Sequence, residues 1–150
     1  MQVYRIQKAK YKNDISGYGT TLVAGPWHQS GRYPILYTSC NVSLAILECV
    51  VHLPPAVKPP ELVLHTLEIP DAKVEITDEA DLPINWNKKG YFDVVQQWGS
   101  TWLQSRKSLA ILVPSVLSPD NNILINPNHP DFSSVVVIES RSITLNERLI

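Results

Sequence analysis

The run Val42-Ser-Leu-Ala-Ile-Leu-Glu-Cys-Val-Val-His-Leu53 is apolar at almost every position and holds a single carboxylate, that of Glu48. Read as a helix, it places Leu44 and Ala45 one turn before Glu48 and Val51 and His52 one turn after, so the acid has almost no polar company. Ser39 or Asn41 can cap its start, and Pro54 and Pro55 end it. A helix that is apolar nearly all round is expected to be a central, covered element. Burying an unpaired carboxylate raises its pKa by up to about 3–5 units. Glu48 is therefore either matched by an arginine across a core or aimed into a cleft.

Around that helix the pattern predicts short strands at Val3–Ile6, Ile35–Thr38, Leu62–Ile69, Leu109–Val113, Asn122–Asn126 and Ser134–Ile138. From about Asp93 to Ser105, Val94, Val95, Trp98, Trp102 and Leu103 recur at helical spacing despite Gly99, with Trp98 and Trp102 as a core-facing stripe. Residues 12 to 34 are broken by Gly17, Gly19, Gly25, Pro26, Gly31 and Pro34. They read as a long ordered loop, because Tyr18, Trp27 and His28 lie within it. Prolines 54, 55, 59 and 60 mark a stiff connector, and residues 70 to 90 read as surface connection. Short strands, two helices and no βαβ regularity predict an α+β fold. At 150 residues and 44% hydrophobic, the chain supports one compact domain over 1–150.

Several functions lose support on composition and spacing. Thirteen Lys and Arg against 14 Asp and Glu, without a dense basic run, give little basis for direct nucleic-acid binding. Cys40 and Cys49 form no CxxC motif and read as reduced, buried thiols. No window approaches the ~18 uninterrupted apolar residues of a membrane span. The N-terminus also turns polar at once, without the apolar core of a secretory signal, so a soluble cytoplasmic protein is expected. His28, His52, His65 and His129 lie in separate segments without metal-ligand spacing, and each reads as an ordinary hydrogen-bonded histidine. Neither a GxSxG elbow nor a P-loop is present.

The polar residues isolated in apolar segments are Arg5, Glu48 and, where Val113-Pro114-Ser115 leaves a strand, Ser115. A cation, a carboxylate and a hydroxyl converging on a cleft suit a substrate with both phosphate and ribose. Arg5 would hold a phosphate or order the carboxylate. Glu48 would stabilise a developing oxocarbenium ion or hold a ribose hydroxyl, and Tyr37 and Trp27 could stack on a base or a nicotinamide ring.

The order Tyr4-Arg5-Ile6, Gly25-Pro-Trp-His-Gln-Ser-Gly31, Leu36-Tyr37-Thr-Ser39 and Leu44-Ala-x-x-Glu48-x-x-Val51-His52-Leu53 resembles the RES-domain toxins. Gly99-Ser-Thr-Trp-Leu103, Val113-Pro-Ser115 and Asn122-Ile-Leu-Ile-Asn-Pro-Asn-His-Pro-Asp-Phe132 extend the resemblance over nearly the whole chain. It implies an α+β fold similar to the ADP-ribosyltransferases, with a mixed sheet and a buried helix carrying Glu48. It also implies the toxin of a bacterial type II toxin–antitoxin pair, which depletes NAD by cleaving the nicotinamide–ribose bond as a glycohydrolase or phosphorylase. NAD is then substrate, and no cofactor is needed. Arg5, Glu48 and Ser115 stand where the family has its Arg, Glu and Ser, and Tyr37 matches its pocket tyrosine; Arg5, Tyr37, Glu48 and Ser115 are thus the catalytic set implied, with Trp27 among the substrate contacts. The implied partner is an Xre-type helix-turn-helix antitoxin, through which DNA would be met only indirectly. An exposed hydrophobic face on so small a domain would be consistent with a homodimer. One position departs from the pattern: the family usually has Gly-Arg-Trp where this chain has Gly25-Pro26-Trp27, and proline cannot replace a guanidinium as a donor. An attenuated enzyme, or a non-catalytic relative that still binds its antitoxin, are both consistent with that change.

Overall fold

The computed structural model describes residues 1–55 and 58–150. Seven strands form one sheet in the order β4-β5-β6-β2-β1-β3-β7. In chain order these are β1 (Gln2–Lys8), β2 (Leu36–Ser39), β3 (Leu62–Glu68), β4 (Val74–Ile76), β5 (Ala110–Pro114), β6 (Asn121–Ile125) and β7 (Val136–Ile143). The helices are a short α1 (Tyr18–Leu22), α2 (Val42–His52) and α3 (Phe92–Ser105). All neighbouring strands are antiparallel except β4 and β5, which run parallel and are joined through α3. The α+β expectation thus holds, with a single β–α–β unit inside it.

Alternation along the strands builds the core on both faces of the sheet. Ala110, Ile123 and Ile125 join Val3, Leu36 and Leu67 in one cluster. Ile111, Val113 and Leu124, the intervening residues, join Val95, Trp102 and Leu103 of α3 in the other. The predicted stripe of α3 is there: Trp102 is buried and Trp98 half-buried against the same cluster. Gly99, the apparent breaker, is needed for packing. A Cβ there would collide with the Trp27 carbonyl oxygen, so only glycine lets the helix approach that loop.

The sheet is two plates joined at one point. β1 pairs with β3 from Gln2↔Glu68 to Lys8↔Leu62, and β2 pairs with β6 from Leu36↔Ile125 to Ser39↔Asn122. Between β1 and β2 the only paired residues are Tyr4 and Ser39. A three-stranded plate, β1-β3-β7, therefore meets a four-stranded plate, β4-β5-β6-β2, along a seam that opens beyond that pair.

Several expectations need correction. The helix predicted as covered all round, α2, buries Leu44 and Ala45 against the sheet but leaves Leu47 38% and Val51 55% exposed. Apolar composition is not a covered position, and this helix packs on one side only. Strand β4 lies in the stretch read as surface connection; three residues flanked by charges carry no periodic signal, and it is the edge of β5 that recruits them. Strand β7 runs on to Ile143, past the predicted Ile138, because its polar residues Glu139–Ser142 pair with Thr66–Val63 of β3. The loop of residues 12–34 contains α1, entered through Gly17 at φ 72°, where a side chain would meet the Ile35 backbone at 3.0–3.2 Å. Part of the proline connector after α2 lies outside the described residues.

Candidate active site

Helix α2 follows β2 directly, and Asn41 fixes the junction. Its side-chain oxygen accepts from Leu44 N at 2.8 Å, capping the helix, while its amide donates to Asp120 at 2.9 Å. The helix start is thereby tied to the turn between β5 and β6. That turn and the start of β6 carry the partners of Glu48. Ser115 Oγ donates to Glu48 Oε1 at 3.1 Å and Asn122 Nδ2 donates to the same oxygen at 2.6 Å. Asn122 is itself oriented by Ser39 Oγ, which donates to its carbonyl oxygen at 2.8 Å, and Ser115 Oγ also accepts from Leu117 N at 3.0 Å.

Glu48 is thus satisfied by neutral donors, not by an arginine. No ion pair with Arg5 forms among the described residues. The second carboxylate oxygen, Oε2, has His52 Nδ1 at 3.9 Å, beyond hydrogen-bond distance, and that His52 nitrogen donates to the Glu48 carbonyl at 2.7 Å. The Glu48 side chain is 25% exposed; Oε1 is fixed by two hydrogen bonds and Oε2 accepts none from the described residues.

Arg5 and Tyr37 face each other across the open seam. Beyond Tyr4↔Ser39 the ladder has parted, and Arg5 Nη1 donates to the Tyr37 carbonyl at 3.1 Å in place of a backbone bond. Burial lowers the Arg5 pKa, and the carboxylate of Asp14 opposes that shift. The Tyr37 hydroxyl is enclosed. His28 Nε2 is within 2.7 Å of the Thr20 carbonyl and 3.0 Å of the Val23 carbonyl, so that nitrogen carries the proton. His28 Nδ1 is then the acceptor, taking the Tyr37 O–H at 2.6 Å, and Trp27 N donates to the same phenol at 3.2 Å. Burial, with the negative charge of Glu48 adding to it against the Trp27 bond, raises the Tyr37 pKa and keeps the phenol neutral.

Arg5, Tyr37, Glu48 and Ser115 therefore lie on β1, β2, α2 and the end of β5, all bordering the seam or the α2 junction. Trp27 occupies a different place from the one expected. Its ring is buried, stacked on Trp86 at 6.0 Å and edge-on to Trp98 at 5.6 Å, so it has no face free for a base. Its contribution to the site is the backbone N–H on Tyr37. Pro26 is the first of two turn residues between the bridged Gly25 and His28, a position that suits its fixed φ. Two residues were not foreseen as site residues. Asn122 opens the run Asn-Ile-Leu-Ile-Asn126, where nothing local separates a carboxylate donor from a turn former. For His28 the sequence predicts only a hydrogen-bonded histidine, which it is, but its partner is the phenol of the site. No group of three or more metal-ligating side chains occurs among the described residues.

The family model described as the RES domain matches residues 2–146. The chain belongs to the RES domain family. A relative from Yersinia enterocolitica named "Toxin Res" is 36% identical over 136 residues, covering 89% of each chain. Another from Photorhabdus laumondii with the same name is 34% identical, covering 91% of this chain and 88% of the relative. A Sphingobium protein named "Prs ADP-ribosylating toxin" is 35% identical over 92% of this chain and 88% of its own. Among solved structures, a chain of the Mycobacterium tuberculosis MbcT–MbcA toxin–antitoxin complex superposes with a TM-score of 0.77 over 95% of this chain and 84% of its own. At 16% identity that likeness speaks for the fold of this RES domain alone.

Proposed function

We propose that this chain is a toxin that consumes NAD by breaking the bond between nicotinamide and ribose. The observation that carries the reading is the state of Glu48: an ionisable carboxylate with one oxygen clamped by Ser115 and Asn122 and the other uncommitted. In this reading Arg5 holds the diphosphate, and the Tyr37 ring lies against nicotinamide. As the C1′–N bond breaks, its electron pair leaves with neutral nicotinamide and positive charge grows on the ribose. A preorganised carboxylate stabilises that charge without first having to reorient. The relatives named as toxins, one of them ADP-ribosylating, support the reading. An antitoxin is the partner to expect on the same grounds, of the Xre type if the sequence resemblance is followed, and the cytoplasm, where NAD is abundant, is the place of action.

The test is a time course of NAD and its products with the purified chain, Glu48→Gln and Pro26→Arg in parallel. Loss of NAD should slow by at least ~100-fold in Glu48→Gln, the magnitude usual for removing one electrostatic contact to a transition state. The product identifies the acceptor: free ADP-ribose for water, its 1″-phosphate for phosphate, a labelled polypeptide for transfer to protein. Pro26 favours a second reading, a non-catalytic RES domain that retains only antitoxin binding. That reading stands if neither the natural chain nor Pro26→Arg consumes NAD.

A further inference from the structure

Arg5 is the end of a chain of side chains that crosses the three-stranded plate. Its Nε donates to Gln7 Oε1 at 3.1 Å. Gln7 Nε2 donates to the Tyr11 carbonyl at 2.7 Å and lies 3.1 Å from His65 Nε2. His65 Nδ1 is 2.7 Å from Ser140 Oγ. The strands dictate this order: Arg5 and Gln7 are two apart on β1 and share a face, His65 is the register partner of Arg5 on β3, and Ser140 is the register partner of His65 on β7.

The proton positions follow from what each group can do. A guanidinium only donates, so the Gln7 oxygen must face Arg5 and its nitrogen must face the other way. That nitrogen donates both to Tyr11 and to His65, which makes His65 Nε2 the bare nitrogen of a neutral ring. The His65 proton is then on Nδ1 and is donated to Ser140. Protonating Nε2 would set two donors against each other and place a second cation directly across the ladder from Arg5. His65 is 1% exposed, so water offers no alternative partner.

We propose that Gln7 and His65 are positioning residues for Arg5, locking the guanidinium against the Tyr37 carbonyl at the seam so that its remaining N–H groups are fixed for an anion. The proposal rests on the NAD reading for the identity of that anion, the substrate diphosphate. If it holds, Gln7→Leu should raise KM for NAD about tenfold and leave kcat within about twofold, because a contact held equally before and during bond cleavage is lost. Arg5→Lys should raise KM as well, and the double variant should be no worse than Arg5→Lys alone. Gln7→Glu, nearly the same shape, should also raise KM, since its carboxylate competes with the diphosphate for Arg5. Unchanged KM in both Gln7 variants, or additive effects in the double variant, would overturn the proposal. A second measurement does not need turnover: ¹⁵N NMR of the His65 ring should show the Nδ1–H tautomer in the natural chain and loss of that preference in Gln7→Leu. A chain that leaves NAD untouched sinks the NAD reading alone, and the tautomer then decides the proposal: Nδ1–H supports it, Nε2–H overturns it.

Discussion

Asn122 donates to Glu48 across 2.6 Å, the shorter of the two hydrogen bonds on Oε1. The amide reaches the carboxylate because Ser39, its register partner on β2, holds its other end. Asn122→Leu removes that donor and leaves both Glu48 and Ser39 with one partner fewer. Urea unfolding should show a loss of about 1–3 kcal/mol, the usual cost of leaving such groups unsatisfied. NAD consumption should fall by at least ~10-fold, because a carboxylate held by Ser115 alone is free to rotate.

Tyr37→Phe deletes one oxygen and strands two groups. The buried His28 Nδ1 loses its donor and Trp27 N its acceptor. A destabilisation of about 1–3 kcal/mol is expected in chemical unfolding. A phenylalanine chain as stable as the natural one would mean that the enclosure of the hydroxyl contributes nothing.

Three glycines provide a graded test. Alanine at Gly99 would collide with the Trp27 carbonyl, a backbone group that cannot yield without moving the loop, and should cost about 3 kcal/mol, the upper end of the usual range for overpacking. Alanine at Gly25 would meet the Tyr37 hydroxyl at 2.6 Å and the His28 ring at 2.8 Å, so it should disturb the site more than the fold. Alanine at Gly19 meets nothing within 4 Å and should leave thermal stability and turnover within error of the natural chain.

Burial, reinforced by the charge of Arg5, lowers the pKa of His65 below its ordinary value of 6.5. The unfolded chain therefore binds this proton more readily than the folded one as pH falls through the interval between the two values. Its contribution to stability is complete above about pH 6.5 and is lost as pH drops through the folded value. Urea midpoints measured from pH 7.5 down to 5 should fall, and in His65→Gln the fall should be shallower.

Much of this was legible in the chain. The α2 helix announced itself by its apolar run and its asparagine and proline boundaries, α3 by apolar spacing alone, and six of the strands by short apolar runs. What local pattern could not carry was tertiary: β4 exists because β5 offers an edge, and β7 continues through polar residues because β3 holds them. The site divided the same way. Arg5, Glu48 and Ser115 stood out as polar residues in apolar company, and the structure brings each to the seam or to the α2 junction. Trp27 looked like a stacking surface because an aromatic in a glycine-rich loop does; only the positions of Trp86 and Trp98 show that its ring closes a core. Asn122 and Gln7 gave no signal, since an amide in a strand is ordinary until its neighbours are known.

The two-plate sheet also sets when, during synthesis of the chain, the site can assemble. Arg5 leaves the ribosome first, Glu48 next, and the donors Ser115 and Asn122 only after most of the chain has emerged. The plate that holds Arg5 is closed last of all, by β7. A nascent or truncated polypeptide ending before residue 115 has the carboxylate without either clamp and the guanidinium without its outer strand. Synthesis past residue 122 is thus required before the carboxylate of Glu48 can be held by both of its donors.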